Sequence, residues 1–335
     1  MYEGAAMTID GYFLGIDIGG TKMLAALVDA QGRVIIKDQQ PTLAAEGEHG
    51  VISRLIHMIE SLLSSVPNLR ARSILSLGIA TAGILDMDTG TIVLSTNLGW
   101  KNVALGPILE RKFGFPVRLI NDASAAALGE WIVGAGKGTE DCLYVTVSTG
   151  IGGGVISGGH LLLGASNNAA EIGHISIDRK GPTCKCGNKG CVEMYASGNS
   201  IARIAAEDII SGKLLTAPLA EMAGHDPNKV TAKLVAEAAS SGDPYAISLL
   251  KEAGEALGTA MVTFIHLFNP EIIIFGGGVS LSGDVLFEPM WNTIRKLGIE
   301  DMVKDVKMAR SSLGVDAGAV GAALLWKYEN QAVTI

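Results

Sequence analysis

An apolar strand, a glycine-rich turn and two further extended segments follow one another twice in this chain. In the first copy Phe13 to Asp17 is a short apolar run, Gly19-Gly20-Thr21 turns, Lys22 to Val28 is apolar again, and Asp29-Ala30-Gln31-Gly32 turns into Val34 to Ile36. In the second copy Cys142 to Ser148 is the strand, Thr149-Gly150-Ile151-Gly152-Gly153-Gly154 is the turn, and Val155-Ile156 with His160 to Leu163 continues in extended form. The repetition predicts an internal duplication. At roughly 150 residues per domain, 335 residues predict about two domains.

Between the copies, Ile52, Leu55, Ile56, Ile59, Leu62 and Leu63 recur at helical spacing, and Ile74 to Ala80 reads as a buried strand. Val117 to Ile120 is a further strand, followed by Asn121-Asp122 and a helix of small residues from Ala123 to Val133. The domain joint is expected here, with an N-terminal domain over 1–121 and a C-terminal domain over 122–316. Thr231 to Phe268 holds two helical patterns broken at Ser241-Gly242-Asp243-Pro244, and Glu271 to Phe275 is a strand that empties into glycines. The last helix, Ala317 to Tyr328, is rich in Ala and Gly and is expected to pack closely, back on the N-terminal domain. Thr216 to Asn228 reads as a surface loop.

Charge and hydropathy narrow the class. The 26 basic and 34 acidic side chains leave a net charge of -8, which offers no long-range attraction to a polyanion and argues against nucleic acid as the principal ligand. With 48% hydrophobic and 18% charged residues the chain is not disordered, and its 43 glycines call for glycine-rich turns. The N-terminus lacks a basic start and an apolar core, and the longest apolar stretch, Ala256 to Phe268, falls well short of the ~20 residues that span a bilayer. A cytoplasmic protein with no membrane partner is expected, in a reducing compartment that keeps its four cysteines as thiols.

The glycine turns are candidates for holding phosphate. In Asp17-Ile18-Gly19-Gly20-Thr21-Lys22 a carboxylate at a strand end meets backbone N–H groups that no Cβ screens, and such a carboxylate can hold Mg2+ through water. A β-hairpin turn needing positive φ explains the same residues. Thr149, Gly150, Gly152 and Gly153 occupy the same place in the second copy, and two such turns can clamp one polyphosphate. Gly276, Gly277 and Gly278, between a strand and an expected helix, either bring an adenosine or phosphate group to the helix N-terminus or make a tight loop. Together the three favour nucleotide binding.

The sharpest chemical signal is a ligand set for a metal. Glu171-Ile172-Gly173-His174 precedes Cys184-Lys185-Cys186-Gly187-Asn188-Lys189-Gly190-Cys191, which supplies an imidazole and three thiolates, the complement of tetrahedral Zn2+. With four protein ligands the ion is structural and orients its neighbours. A redox pair or buried free thiols are the alternatives. The neighbours Glu171 and Glu193 read plainly as solvated surface residues. Asp122 reads as the cap of its helix or, beside a nucleotide, as the acceptor of a hydroxyl proton in phosphoryl transfer. Asn97, in Thr96-Asn97-Leu98-Gly99-Trp100, is a loop turn or a hydroxyl-binding amide.

The ordered set Asp17 to Lys22, Asn121-Asp122, Ser148 to Gly154, Glu171 to His174, Cys184 to Glu193 and Asp316 to Leu324 resembles the ROK family of sugar kinases and repressors across nearly the whole chain. The element C-x-C-G-x-x-G-C-x-E is specific to many zinc-bearing members. The resemblance implies an α/β, two-domain actin/hexokinase-like (ribonuclease H-like) fold with an interdomain cleft. It also implies ATP with Mg2+, a structural Zn2+ held by His174, Cys184, Cys186 and Cys191, and a small-molecule sugar, most of all glucose, phosphorylated at its 6-hydroxyl. Asp122 then falls on the general base, Asn121 touches the sugar, and Asn97, Glu171, His174 and Glu193 meet sugar hydroxyls. An N-acetylmannosamine or N-acetylglucosamine kinase is the alternative within enzymes, and a non-catalytic sugar sensor or partner-binding protein the alternative outside them. A homodimer or tetramer is expected. With sixteen residues before Asp17, the helix-turn-helix of family repressors is not expected. Two departures, Ala82-Gly83 where members often have Pro-Gly and Ala170 where Gly is common, touch loop shape near the sugar.

Overall fold

The computed structural model describes residues 11–66, 73–214 and 216–331. In chain order the elements begin with β1 (Tyr12–Ile18), β2 (Lys22–Asp29), β3 (Val34–Pro41), α1 (Gly47–Ser64) and β4 (Ile74–Thr81). A small sheet of β5 (Ile84–Asp86), β6 (Thr91–Ser95) and β7 (Trp100–Val103) follows, then α2 (Leu105–Phe113), β8 (Val117–Asn121) and α3 (Asp122–Val133). Next come β9 (Cys142–Val147), β10 (Ile151–Ser157), β11 (His160–Leu161), α4 (Glu193–Ala196), α5 (Gly198–Ile210), α6 (Pro218–Met222), α7 (Ala232–Ser240) and α8 (Pro244–Phe268). The chain ends with β12 (Ile272–Gly276), α9 (Asp284–Leu297), α10 (Glu300–Val303), β13 (Lys307–Arg310) and α11 (Ala317–Gln331).

The expected duplication is visible in the sheets. One has the order β3-β2-β1-β4-β8 and the other β11-β10-β9-β12-β13. In each, the first strand of the meander runs antiparallel to the second and parallel to the strand that follows the meander, β4 or β12. The chain divides into two compact units, one of Met1–Gly138, Leu161–Ala169 and Val315–Ile335, the other of Thr139–His160 and Ala170–Gly314.

Strand periodicity places the chemistry of the first unit. Along β1, side chains alternate between faces, so Leu14, Ile16 and Ile18 share one core with Val51, Leu55 and Ile59 of α1. Phe13, Gly15 and Asp17 take the other face, against α11. Phe13 meets the Trp326 ring at 6.2 Å between centroids. A Cβ at Gly15 would collide with Ala319 O, and one at Gly78, its partner on β4, with Ala322 O, so α11 rests directly on the strand backbones. Near the start of α11, a Cβ at Gly318 would stand 2.6 Å from Asp17 Oδ2. The Asp17 carboxylate is therefore set over the first turn of that helix.

The same close approach moves the expected domain boundary. A Cβ at Gly321 would collide with Ala125 O, so α3 packs on α11 and belongs to the first unit rather than beginning the second. The chain leaves the first unit after Gly138, not after Asn121.

In the second unit Leu143, Val145 and Val147 of β9 alternate into a core with Leu250, Leu257 and Phe264 of α8. The segment expected as a surface loop, Thr216 to Asn228, instead contains α6, with Leu219, Ala220 and Ala223 buried. Pro218 supplies the first helical position, and the buried Asp243 carboxylate accepts the Leu219 N–H at 2.7 Å. Among the described residues no helix is long and apolar enough to cross a membrane.

Candidate functional site

Two carboxylates stand at the start of the chemistry in the first unit. Burial first, and the neighbouring Asp122 charge second, raise Asp17 to about 7, with Lys22 acting in the opposite direction. Burial also raises Asp122, against the lowering effect of the Ala123 N–H. The helix cap is not Asp122 but Asn121, whose Oδ1 accepts the N–H groups of Ala123 at 2.9 Å and Ser124 at 3.1 Å. Asp122 is the first helical residue, and its Oδ1 accepts the Ala123 N–H at 2.9 Å. Capping is thus carried next door, and the Asp122 carboxylate keeps acceptor capacity for a ligand.

The first glycine turn closes through Gly19 N–H to Lys22 O at 3.0 Å, with Thr21 and Lys22 exposed. It is fastened by two buried hydroxyls that sequence reasoning missed. Thr42 Oγ1 donates to Gly19 O at 2.6 Å while the Thr42 N–H donates to Thr21 O at 2.9 Å, and Thr81 Oγ1 donates to Ile18 O at 3.2 Å. Neither threonine sits in a motif, so only packing could reveal them. Gly20 lies against exposed Asn97, whose backbone O would be 3.2 Å from a Cβ there.

In the second unit the turn is shorter than expected. Ser148 N–H donates to Gly150 O at 2.9 Å, and β10 already begins at Ile151. Thr149 and Gly150 are turn residues, whereas Gly152 and Gly153 are strand residues paired with Thr146 and Val145. A Cβ at Gly153 would strike Ile172, so close packing explains that glycine without a phosphate. The third glycine run also departs from expectation. Gly276 ends β12, Gly277 has φ 84 and is pressed against Val147, and the chain then makes a 3-10 turn over Gly278–Ser282 before α9 starts at Asp284. Gly278 alone has open space, and no α-helix N-terminus lies at it.

His174, Cys184, Cys186 and Cys191 converge, their ligand atoms all lying within 4.8 Å of one another. Cys184 Sγ is 3.6 Å from His174 Nδ1, and Cys186 Sγ is 3.6 Å from Cys191 Sγ, the spacing of neighbouring donors around a tetrahedral ion with Zn–N of about 2.0 Å and Zn–S of about 2.3 Å. The knuckle folds because Cys184 N–H donates to Asn188 O at 2.8 Å and Gly187 N–H to Cys184 O at 3.0 Å. Burial and the adjacent thiols push Cys191 up to about 12, so without a cation it stays protonated. With Nδ1 turned to the sulfurs, His174 Nε2 faces Glu171 Oε2 at 4.0 Å, as a ligand imidazole oriented by a carboxylate would. Ala170, just before Glu171, has φ 66, a conformation glycine adopts without strain. Glu193 does not point into solvent: its Oε2 accepts the Ile151 N–H at 2.9 Å.

Residues 13–329 match the ROK family. The chain belongs to the ROK family. It is 36% identical over 315 residues to a glucokinase of Thermotoga maritima, covering 94% of this chain and 96% of that protein. It is 30% identical over 311 residues to the xylose repressor of Bacillus subtilis, covering 93% of this chain and 76% of the repressor. Among solved structures it is similar to a ROK family glucokinase from Streptomyces griseus in complex with glucose and AMPPNP, with a TM-score of 0.81 and 33% identity over 94% of this chain and 99% of that one. The two-unit α/β architecture is thus that of the ROK sugar kinases.

The raised Asp17 has a measurable consequence in this ROK protein. Folding raises its pKa from 3.8 to about 7, so the folded state holds the proton more tightly, and stability falls as pH rises through that window. A rise of about three in pKa corresponds to at most roughly 4 kcal/mol. Asp17→Asn is therefore expected to stabilise the protein at pH 8 by no more than about 4 kcal/mol and to flatten its stability between pH 4 and 7. Thermal unfolding without Mg2+ or nucleotide checks this, and a variant that follows the parent at every pH rules it out.

Proposed function

We propose that this chain is an ATP-dependent hexose kinase that transfers the γ-phosphoryl group to a sugar 6-hydroxyl, with glucose as the sugar. The observation that carries the reading is Asp122, a carboxylate of raised proton affinity that Asn121 relieves of capping, in a chain that matches a glucokinase over nearly all of both lengths. Asp122 accepts the hydroxyl proton as the oxygen attacks phosphorus. Its higher pKa makes it a better acceptor at neutral pH. The turns at Gly19-Gly20-Thr21 and Thr149-Gly150 offer backbone N–H groups to phosphate oxygens, with Lys22 adding a positive charge. Mg2+, held through Asp17, would neutralise phosphate charge. Asn97, Asn121, Glu171, His174 and Glu193 bind and orient the sugar hydroxyls. Zn2+ on His174, Cys184, Cys186 and Cys191 would tie His174 and both glutamates to one rigid knuckle.

A coupled assay of sugar-dependent ADP formation over hexoses and N-acetylhexosamines tests the reading. Glucose is expected to give the highest kcat/KM. Faster turnover of N-acetylmannosamine or N-acetylglucosamine would reassign the substrate. Sugar binding with no ADP formation would make the protein a sensor.

A further inference from the structure

The second glycine turn is held from two sides by the segments that carry the metal ligands. On one side Ile172 and Gly173, just before His174, pack beneath it, and a Cβ at Gly173 would collide with Ile151 O. On the other side Gly198 N–H donates to Ser148 O at 2.7 Å, Asn199 N–H to Thr149 O at 3.2 Å, and Ile151 N–H to Glu193 Oε2 at 2.9 Å. The first two bonds join backbone to backbone and do not involve the Glu193 side chain. Only the third depends on a side chain.

That side chain is itself well anchored. Glu193 opens α4 two residues after Cys191, and Ser200 Oγ donates to its carbonyl oxygen at 2.7 Å. A Cβ at Gly150 would lie 2.6 Å from Glu193 Oε2, so the carboxylate occupies the space that a larger residue in the turn would need. Among the described residues Oε1 accepts no hydrogen bond.

We propose that Glu193 is a positioning residue for the phosphate turn, fixing the Gly150–Ile151 peptide through Oε2 while Oε1 remains for a sugar hydroxyl. The inference rests on the reading of Thr149-Gly150 as a phosphate-holding turn. Without Oε2 the Ile151 N–H loses its acceptor, and the peptide whose orientation aims the turn is free to rotate. A sugar hydroxyl on Oε1 restrains the same carboxylate and so lowers the cost of ordering the turn. Sugar and nucleotide then tighten each other's binding by one common factor.

The test titrates a non-hydrolysable ATP analogue with Mg2+, in the absence and presence of glucose, into the zinc-replete parent, Glu193→Ala and Glu193→Gln. Hydrogen exchange at the Ile151 amide is followed in each. Without sugar, Glu193→Ala is expected to weaken analogue binding about 10-fold and to lose the tightening by glucose. Glu193→Gln, whose amide oxygen can still accept the Ile151 N–H, should stay within about threefold of the parent for the analogue while losing sugar affinity. Ile151 exchange should be slow in the parent and Glu193→Gln, and faster in Glu193→Ala. Equal analogue affinity in parent and Glu193→Ala, or an Ile151 exchange rate that the alanine leaves unchanged, would overturn the proposal. A parent that binds no analogue at all would instead defeat the phosphate reading, with Ile151 exchange still reporting on the Glu193 contact.

Discussion

Asp122→Asn should lower the turnover of sugar phosphorylation by at least about 100-fold while leaving glucose binding within a few-fold of the parent. Asparagine keeps the size of the side chain and can still accept the Ala123 N–H that Asp122 accepts at 2.9 Å. Helix α3 should not suffer, because its cap is Asn121. The amide cannot take the proton of a hydroxyl, so the oxygen must attack unassisted. Folding stability is expected to hold or rise, since the substitution removes a buried carboxylate whose charge also raises Asp17. Thermal unfolding and calorimetric glucose titration separate the loss of chemistry from damage to the fold. Near-parental turnover under conditions where chemistry limits the rate would strip Asp122 of the base role.

Cys186→Ser should release the metal and with it both stability and sugar affinity. The purified parent is expected to hold about one Zn2+ per chain and the variant almost none. Cys186 is the informative position because it is exposed, whereas Cys184 and Cys191 are buried and their replacement would disturb packing as well. Loss of the ion leaves the buried Cys191 thiol protonated and leaves the knuckle between Ile175 and Val192 held by hydrogen bonds such as Val192 N–H to Ile175 O at 3.0 Å and Ile177 N–H to Gly190 O at 2.9 Å. Glu171 and Glu193 flank this knuckle, so sugar binding should weaken by about 10- to 100-fold, the range for disturbing the groups around a metal site. Elemental analysis of native protein that finds no bound metal would end the zinc assignment. A variant that loses zinc but keeps its melting temperature would show that the ion is not structural.

Local signals read correctly because they need only neighbours along the chain. The two strand-turn-strand copies follow from alternation over short windows, and the sheets formed from them share one strand order. The metal-ligand cluster was legible too, since His174 and Cys191 stand within one short segment and the glycines between them permit its tight fold. Long-range proximity decided the rest. Whether Gly153 faces a phosphate or the side chain of Ile172 depends on where residues far along the chain come to lie, and the strand register made it a packing residue. Asn121 and Asp122 are both good caps by composition, and backbone geometry at the end of β8 gave the role to the first. Thr42 and Thr81 hold the first turn from outside any motif. Glu193, to all appearance a solvated residue after the knuckle, is turned onto Ile151 by the fold, because a carboxylate takes its meaning from the N–H it reaches and that N–H lies 42 residues away. By itself the sequence determined the periodicities and the local ligand set. The assignment of α3 to the first unit, the division of the glycines between packing and turn, and the partners of each carboxylate came only from tertiary structure, since they are set by contacts whose sequence separation no local pattern records.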